Sequence, residues 1–388
     1  MNVMQQGLIT LMKNAILEQP QPLPEEFEIQ AAMPLIQKHH IAALVYDGAV
    51  RCGLPRENPA MEKLFRSYYR FLVVSEGQER EIRRIFRAFE ENGIDYLPLK
   101  GCNMKALYPK PEMRAMGDAD ILIRLEQYDR IEPVMKALGF ERKNETDHEL
   151  VWVSPQLHLE LHKHLIPSYD RDLYAYFEDG WHLAVPGSGS RWDMSPEDTF
   201  VYLFSHFAKH YRGGGIGCRY VLDLWVYLRA NPGLDMDRIL AALEKLKLRE
   251  FYGNISRLMA VWFEGAEPDD RTEFMTEFIF ASGSWGQMDQ RLLARGVSIA
   301  QRTSQGKLRY LWQRVFLKPD EMKWQYPILR KAPWLLPGAW IWRIVRKVAF
   351  QRPALSRQKQ ILEGMSREKV EDSQRLLRYV GLDCSTDS

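Results

Sequence analysis

Along the first 93 residues, apolar side chains recur every three to four positions. Leu8, Ile9, Leu11, Met12 and Ile16 form one series, and Ala32, Leu35, Ile36, Ile41 and Leu44 form another, with the proline-rich turn PQPLPEE between them. A helix of 3.6 residues per turn gathers such positions on one face, so the pattern predicts amphipathic helices. The longest series, over residues 61–91, carries Leu64, Tyr68, Phe71, Leu72, Ile82, Ile85, Phe86 and Phe89, and Asn92-Gly93 supplies its stop.

At residue 94 the period changes. Residues 95–99 read as a brief apolar strand that ends in Lys100-Gly101, and CNMKALY then has a helix-compatible pattern. A strand–turn–helix with glycine at the turn presents backbone N–H groups, a geometry that suits an anion. After the YPKPE loop, alternation over 118–124 places Asp118, Asp120 and Leu122 on one face of a strand, and Ala119, Ile121 and Ile123 on the other. Residues 125–138 read as an amphipathic helix closed by Gly139, and 140–153 as one or two further strands. In QLHLELHKHL, Leu157, Leu159 and Leu161 face one way while His158, Glu160, His162 and His164 face the other. A third carboxylate therefore stands on the polar face of a later strand.

Beyond residue 199 helical patterns dominate and strand signals nearly vanish. The Gly-, Ser- and Pro-rich segment PGSGSRWDMSPED at 186–198 reads as a linker or large loop and sets the expected boundary. The expectation is an α+β protein: a helical N-terminal region over 1–93, a small mixed α/β core over 94–185, and a mostly helical region over 186–388.

Composition changes this picture little. With 46% hydrophobic and 27% charged residues the chain is globular, and a net charge of +2 excludes bulk electrostatics as an argument for nucleic acid or membrane. Residues 307–360 are an exception, with 13 Lys or Arg against 2 acids, together with Trp312, Trp324, Trp334, Trp340 and Trp342. That mixture suits weak contact with nucleic acid or a membrane surface, although prolines at 319, 327, 333, 337 and 353 interrupt any long amphipathic face and tryptophans packed between short helices explain it equally well. Cys52, Cys102, Cys218 and Cys384 lack CxxC spacing and read as free thiols of a reducing, cytoplasmic compartment. The N-terminus lacks the layout of a signal peptide, and no apolar run is long enough to span a bilayer.

The chemistry concentrates in 94–164. Asp118 and Asp120, joined by Glu160, form an oxygen-rich set suited to Mg²⁺, and two such ions serve an in-line phosphoryl displacement. Lys100, the Gly101 turn and Arg114 would neutralise a triphosphate that carboxylates alone repel. The same residues have plainer readings: Glu160 as a salt-bridge partner, Lys100 as a solvated strand end, Arg114 paired with Glu112 or an aspartate. His158, His162 and His164 invite a zinc reading that needs further ligands from elsewhere, whereas a role for His162 in orienting a carboxylate needs none. His206 and His210 lie one helical turn apart without an HExxH glutamate and read as a packed helix face. The run Tyr211-Arg212-Gly213-Gly214-Gly215 has no GK[ST] ending and reads as an interhelical loop.

The pattern LPLKG…Y…R..GDADILI with the downstream LELH resembles the uncharacterised nucleotidyltransferase family of bacterial proteins, within the DNA polymerase β-like nucleotidyltransferase superfamily. The resemblance covers roughly residues 60–300 and is sharpest over 97–124. It implies a small mixed sheet flanked by helices and transfer of a nucleoside monophosphate from an NTP, ATP foremost, to a hydroxyl-type acceptor; the alternatives are a catalytically inactive nucleotide-binding or scaffold protein that keeps the fold, and a transferase acting on a macromolecular RNA or protein acceptor. By the same resemblance Asp118 and Asp120 are ligands of Mg²⁺, with two ions expected and Mn²⁺ as a substitute, and Glu160 is the third carboxylate. The phosphate-binding positions are Lys100, Gly101, Asn103, Arg114 and Gly117. The superfamily's glycine-serine turn appears as Lys100-Gly101-Cys102-Asn103, so the serine hydroxyl is absent and Lys100 or Asn103 is expected in its place.

Overall fold

The computed structural model describes residues 1–146, 148–168, 170–283, 322, 328–350 and 374–382. The predicted N-terminal helices are present as α1 (Val3–Ile16), α2 (Ile29–His39), α3 (Ala42–Arg51) and α4 (Pro59–Glu91). Asn58 caps the last of these by accepting the Ala60 N–H at 2.9 Å, and Pro59 fits the first turn, where no N–H is needed. At its far end Gly93 takes φ +57°, a left-handed conformation that glycine adopts without penalty.

The chain then builds β1 (Tyr96–Pro98), the four-residue α5 (Gly101–Met104), β2 (Ala119–Ile123), α6 (Tyr128–Ala137), β3 (Glu141–Glu145), β4 (Glu149–Val153) and β5 (His158–His162). The five strands form one mixed sheet in the order β1-β2-β5-β4-β3. β2 and β5 are parallel neighbours, and the other pairings are antiparallel. One face is apolar: Ile121, Ile123, Leu159, Leu161, Leu150 and Trp152 pack with Ile82, Ile85 and Phe89 of α4 and with Ile131 and Met135 of α6. Burying that face is what fixes the register, since a slip by one residue would turn every leucine of β5 toward water. The α+β expectation of a small mixed sheet flanked by helices is met.

After α7 (Arg171–Phe177), segment 186–198 contributes to a small hairpin rather than an open loop. Its strands are β6 (Ala184–Pro186) and β7 (Trp192–Met194), and the Ser190 carbonyl accepts the Tyr96 N–H of β1 at 3.1 Å. Helices α8 (Pro196–Arg212), α9 (Cys218–Ala230), α10 (Met236–Lys245), α11 (Arg249–Met259) and α12 (Asp270–Ser282) follow.

The chain divides into two compact units. One comprises Met1–Tyr211, Gly215–Trp285 and Val380–Leu382, and it contains the sheet and all the carboxylates of interest; the other comprises Arg212–Gly214, Gly286–Tyr379 and Asp383–Ser388. In the second unit the described helical segments include Ile328–Lys331 and Leu336–Phe350, with Trp334 and Trp342 exposed. Most of the basic, Trp-rich stretch 307–360 lies outside the described residues. Among the described residues no helix is long and apolar enough to cross a membrane. Cys52, Cys102 and Cys218 are free thiols.

Candidate active site

Asp120 sits directly opposite Glu160 in the parallel β2–β5 pairing, so both side chains emerge on the sheet face away from the apolar core. Asp118, two residues earlier, points to the same side by the strand's period of two. Two sets of donor atoms converge there: Asp118, His158 and Glu160, and Asp120, Glu160 and His162, each set with its atoms within 4.8 Å of one another. Glu160 belongs to both. Carboxylate oxygens are the donors that hard cations prefer, and the two flanking imidazoles also admit Mn²⁺. The donor set fits a divalent cation.

The two aspartates differ in their surroundings. Asp120 is buried and accepts hydrogen bonds from Lys100 Nζ at 2.7 Å and, on the same Oδ1, from His162 Nε2 at 2.9 Å. Burial opposes its ionisation, but Lys100 and His162 outweigh that and hold its carboxyl well below the usual range. Asp118 has no such cation. Partial burial, together with the Asp120 and Glu160 carboxylates, raises it to about 6. His162, which also lies 3.6 Å from Glu160 Oε2, is raised despite its burial by bonding to both acids. Its bond to Asp120 is the contact that an orienting role requires. His164 lies past the end of β5, against Tyr174 of α7.

Lys100 takes φ 37° and ψ −106°, an unfavourable conformation for a side chain with a Cβ. Its carbonyl accepts the N–H groups of Asn103 and Met104, while the Cys102 N–H bonds to Leu99. The N–H groups expected to face an anion are thus largely engaged within the turn. Gly101 is required by crowding: a Cβ there would lie 2.8 Å from Met116 Sδ and 3.2 Å from Arg114 Nη1. Cys102, in place of the expected serine, turns its thiol to the Asp120 carbonyl, and burial pushes it up to about 12, so it stays neutral.

The other expected phosphate ligands are engaged elsewhere. Arg114 is buried and grips Asp223 of α9 in bidentate fashion at 2.9 and 3.1 Å, and the Tyr108 hydroxyl donates to the same carboxylate at 2.6 Å. Burial works against its charge, yet Asp223 keeps it above its ordinary value. The pairing with an aspartate is the plainer of the two sequence readings, and α9 supplies the partner. Asn103 donates to the Pro98 carbonyl at 2.8 Å. Gly117 lies exposed in the turn before β2.

Helix α8 brings residues that sequence reasoning missed. Tyr202 is fully buried, and its hydroxyl sits beside Lys100 without a hydrogen-bond partner. His206, one turn later, is driven well below the usual imidazole range by burial and then by the Lys100 charge, so it is neutral. His206 and His210 meet at 3.0 Å between their Nε2 atoms. Lys209 is lowered to about 8 by burial and by Lys100. The i, i+4, i+7 spacing of Tyr202, His206 and Lys209 was visible, but not which way that helix face points.

A family model described as "Uncharacterised nucleotidyltransferase" matches residues 25–264, well over half of the chain. The chain belongs to the uncharacterised nucleotidyltransferase family. The match takes in the N-terminal helices from the start of α2, the whole sheet and α8 through α11. No curated protein and no solved structure was found to match it. Membership gives nucleotidyl transfer, and with it an NTP substrate, as the general activity of this nucleotidyltransferase.

Proposed function

We propose that the chain transfers a nucleoside monophosphate from an NTP, ATP foremost, to a hydroxyl-type acceptor, using Asp118, Asp120 and Glu160 to hold Mg²⁺ or, in its place, Mn²⁺. The observation that carries this reading is the β2–β5 register, which sets Asp120 against Glu160 and leaves Asp118 with two carboxylate neighbours and, among the described residues, no cation at ion-pair distance. Carboxylates this close repel one another, and a divalent cation is the group that relieves the repulsion. Two ions across the donor sets would supply charge neutralisation at the α-phosphate and at the leaving oxygen.

The protein's own groups have separable tasks. His162 holds one Asp120 oxygen and so fixes the direction of the other. Lys100, on the same oxygen, places a positive charge next to the carboxylates. The acceptor oxygen forms its bond to the α-phosphorus as the bond from that phosphorus to the β-phosphate's bridging oxygen breaks. Pyrophosphate leaves with that electron pair, and the acceptor's proton passes to Glu160.

The test is to incubate the protein with Mg²⁺ and each α-labelled NTP, following pyrophosphate release and label transfer, and separately to titrate Mn²⁺ by electron paramagnetic resonance. Asp118→Asn and Glu160→Gln are expected to lose both metal binding and turnover. Nucleotide binding that needs no metal and survives both substitutions would sink the assignment.

A further inference from the structure

The cations that surround the carboxylates are nearly all committed to other partners. Lys100 pairs with Asp120 at 2.7 Å, Arg114 with Asp223 at 2.9 Å, Lys105 with Glu79 at 3.5 Å, and Arg219 with the Ala115 carbonyl. A triphosphate carries about four negative charges, and two divalent ions held by three carboxylates leave its outer phosphates in need of protein donors. Lys209 differs from the rest: among the described residues it meets no carboxylate at ion-pair distance, and it extends from the face of α8 that carries Tyr202 and His206.

We propose that Lys209, with His206 beside it and the unpartnered Tyr202 hydroxyl one turn earlier, binds the β- and γ-phosphates of the NTP and the pyrophosphate they become. The inference rests on the nucleotidyl-transfer reading and adds to it the seat of the leaving group. Three features support it. Tyr202 is fully buried, and beside Lys100 its hydroxyl has no partner at hydrogen-bond distance among the described residues, an arrangement that burial penalises unless a ligand completes it. Lys209 and His206 both lie within the electrostatic reach of Lys100, which carries the charge of the sheet site across to α8. Burial and Lys100 also lower Lys209 to about 8, a shift that a bound polyphosphate would oppose. The acids of the sheet and the Lys209 cation of α8 thus offer opposite charges, and a metal-bound triphosphate carries the matching sign for each.

The experiment measures binding of the α,β-methylene analogues of ATP, GTP, CTP and UTP, and of the matching monophosphates, in Mg²⁺ by calorimetry. Wild type, Lys209→Met and Lys209→Arg are compared, with Mn²⁺ titration as a control on the carboxylates. Lys209→Met is expected to weaken the best triphosphate roughly tenfold or more, leave its monophosphate and Mn²⁺ unchanged, and lose the preference of wild type for three phosphates over one. Lys209→Arg should restore most of that preference. Lys209 meets no carboxylate at ion-pair distance among the described residues, so its removal is expected to leave the fold intact, and an unchanged unfolding midpoint without ligand checks this. Equal triphosphate affinity in wild type and Lys209→Met, or an equal loss for triphosphate and monophosphate, overturns the proposal while leaving the nucleotidyl-transfer reading intact. Failure of wild type to bind any of the four triphosphates overturns both.

Discussion

Two pieces of buried charge flank the same loop and answer opposite demands. Behind it, Arg114 and Asp223 close on each other through two hydrogen bonds, with the Tyr108 hydroxyl adding a third to the carboxylate. In front, the β2–β5 carboxylates are only partly neutralised: Asp120 has Lys100 and His162, while Asp118 is left beside two acids. A closed set of charges has nothing to gain from a ligand, and an open set does. Arg114 ties the segment before β2 to α9, and on the proposed reading it is Asp118 that belongs to the chemistry. Sequence proximity alone had placed them together.

The largest effect is expected from opening the closed pair. Arg114→Ala leaves Asp223 buried without its partner and should cost about 3–5 kcal/mol of unfolding free energy in urea titration. The double variant Arg114→Met/Asp223→Leu should recover much of it, since the desolvation cost disappears with both charges. A loss from the single variant of less than about 1 kcal/mol, the range of a surface pair, would break the distinction drawn above.

A somewhat smaller loss is expected at Asp120. Its side chain is 4% exposed and that of Lys100 15%, so Asp120→Ala leaves a mostly buried ammonium uncompensated, at about 2–4 kcal/mol. Adding Lys100→Met should restore stability but not metal binding, a combination that separates the structural role of the pair from its chemical one. Because the folded carboxyl lies below its ordinary 3.8, the stability it contributes is complete above that value and is lost as pH falls through the lower folded value. Acid unfolding of wild type should therefore be steeper than that of the double variant.

The smallest effect has the opposite sign. Asp118 is raised from 3.8 to about 6, so its contribution is most favourable below pH 3.8 and is lost as pH rises through 6. In the metal-free protein Asp118→Asn should therefore be stabilising at pH 7.5 by on the order of 1 kcal/mol, discounted for partial exposure. The gain should fade as pH is lowered from 6 to 4, and Mg²⁺ should stabilise wild type but not the variant. A variant that is less stable than wild type at pH 7.5 would mean that Asp118 is held by partners like those of Asp120.

Which residues could carry the chemistry was readable from alternation alone. A strand's side chains change face at every residue, so GDADILI and LHLELH announce two polar faces and two apolar ones without knowledge of the fold. The stop at Asn92-Gly93 and the helix before it were equally local. What the sequence left open were pairings over distance. Asp120 meets His162 across 42 residues and Arg114 meets Asp223 across 109, separations over which no periodicity operates. Whether an arginine near two aspartates binds phosphate or anchors a helix depends on which acid reaches it first, and α9 decides that. Likewise the Lys100 turn reads as an anion cradle until the structure closes its N–H groups on its own carbonyls. The sequence by itself determined the acids and the faces they share, because those follow from the covalent geometry of a strand. The tertiary structure alone decided which cations are paired, because burying charge forces every group that can find a partner to take one, and among the described residues Lys209 meets no carboxylate at ion-pair distance.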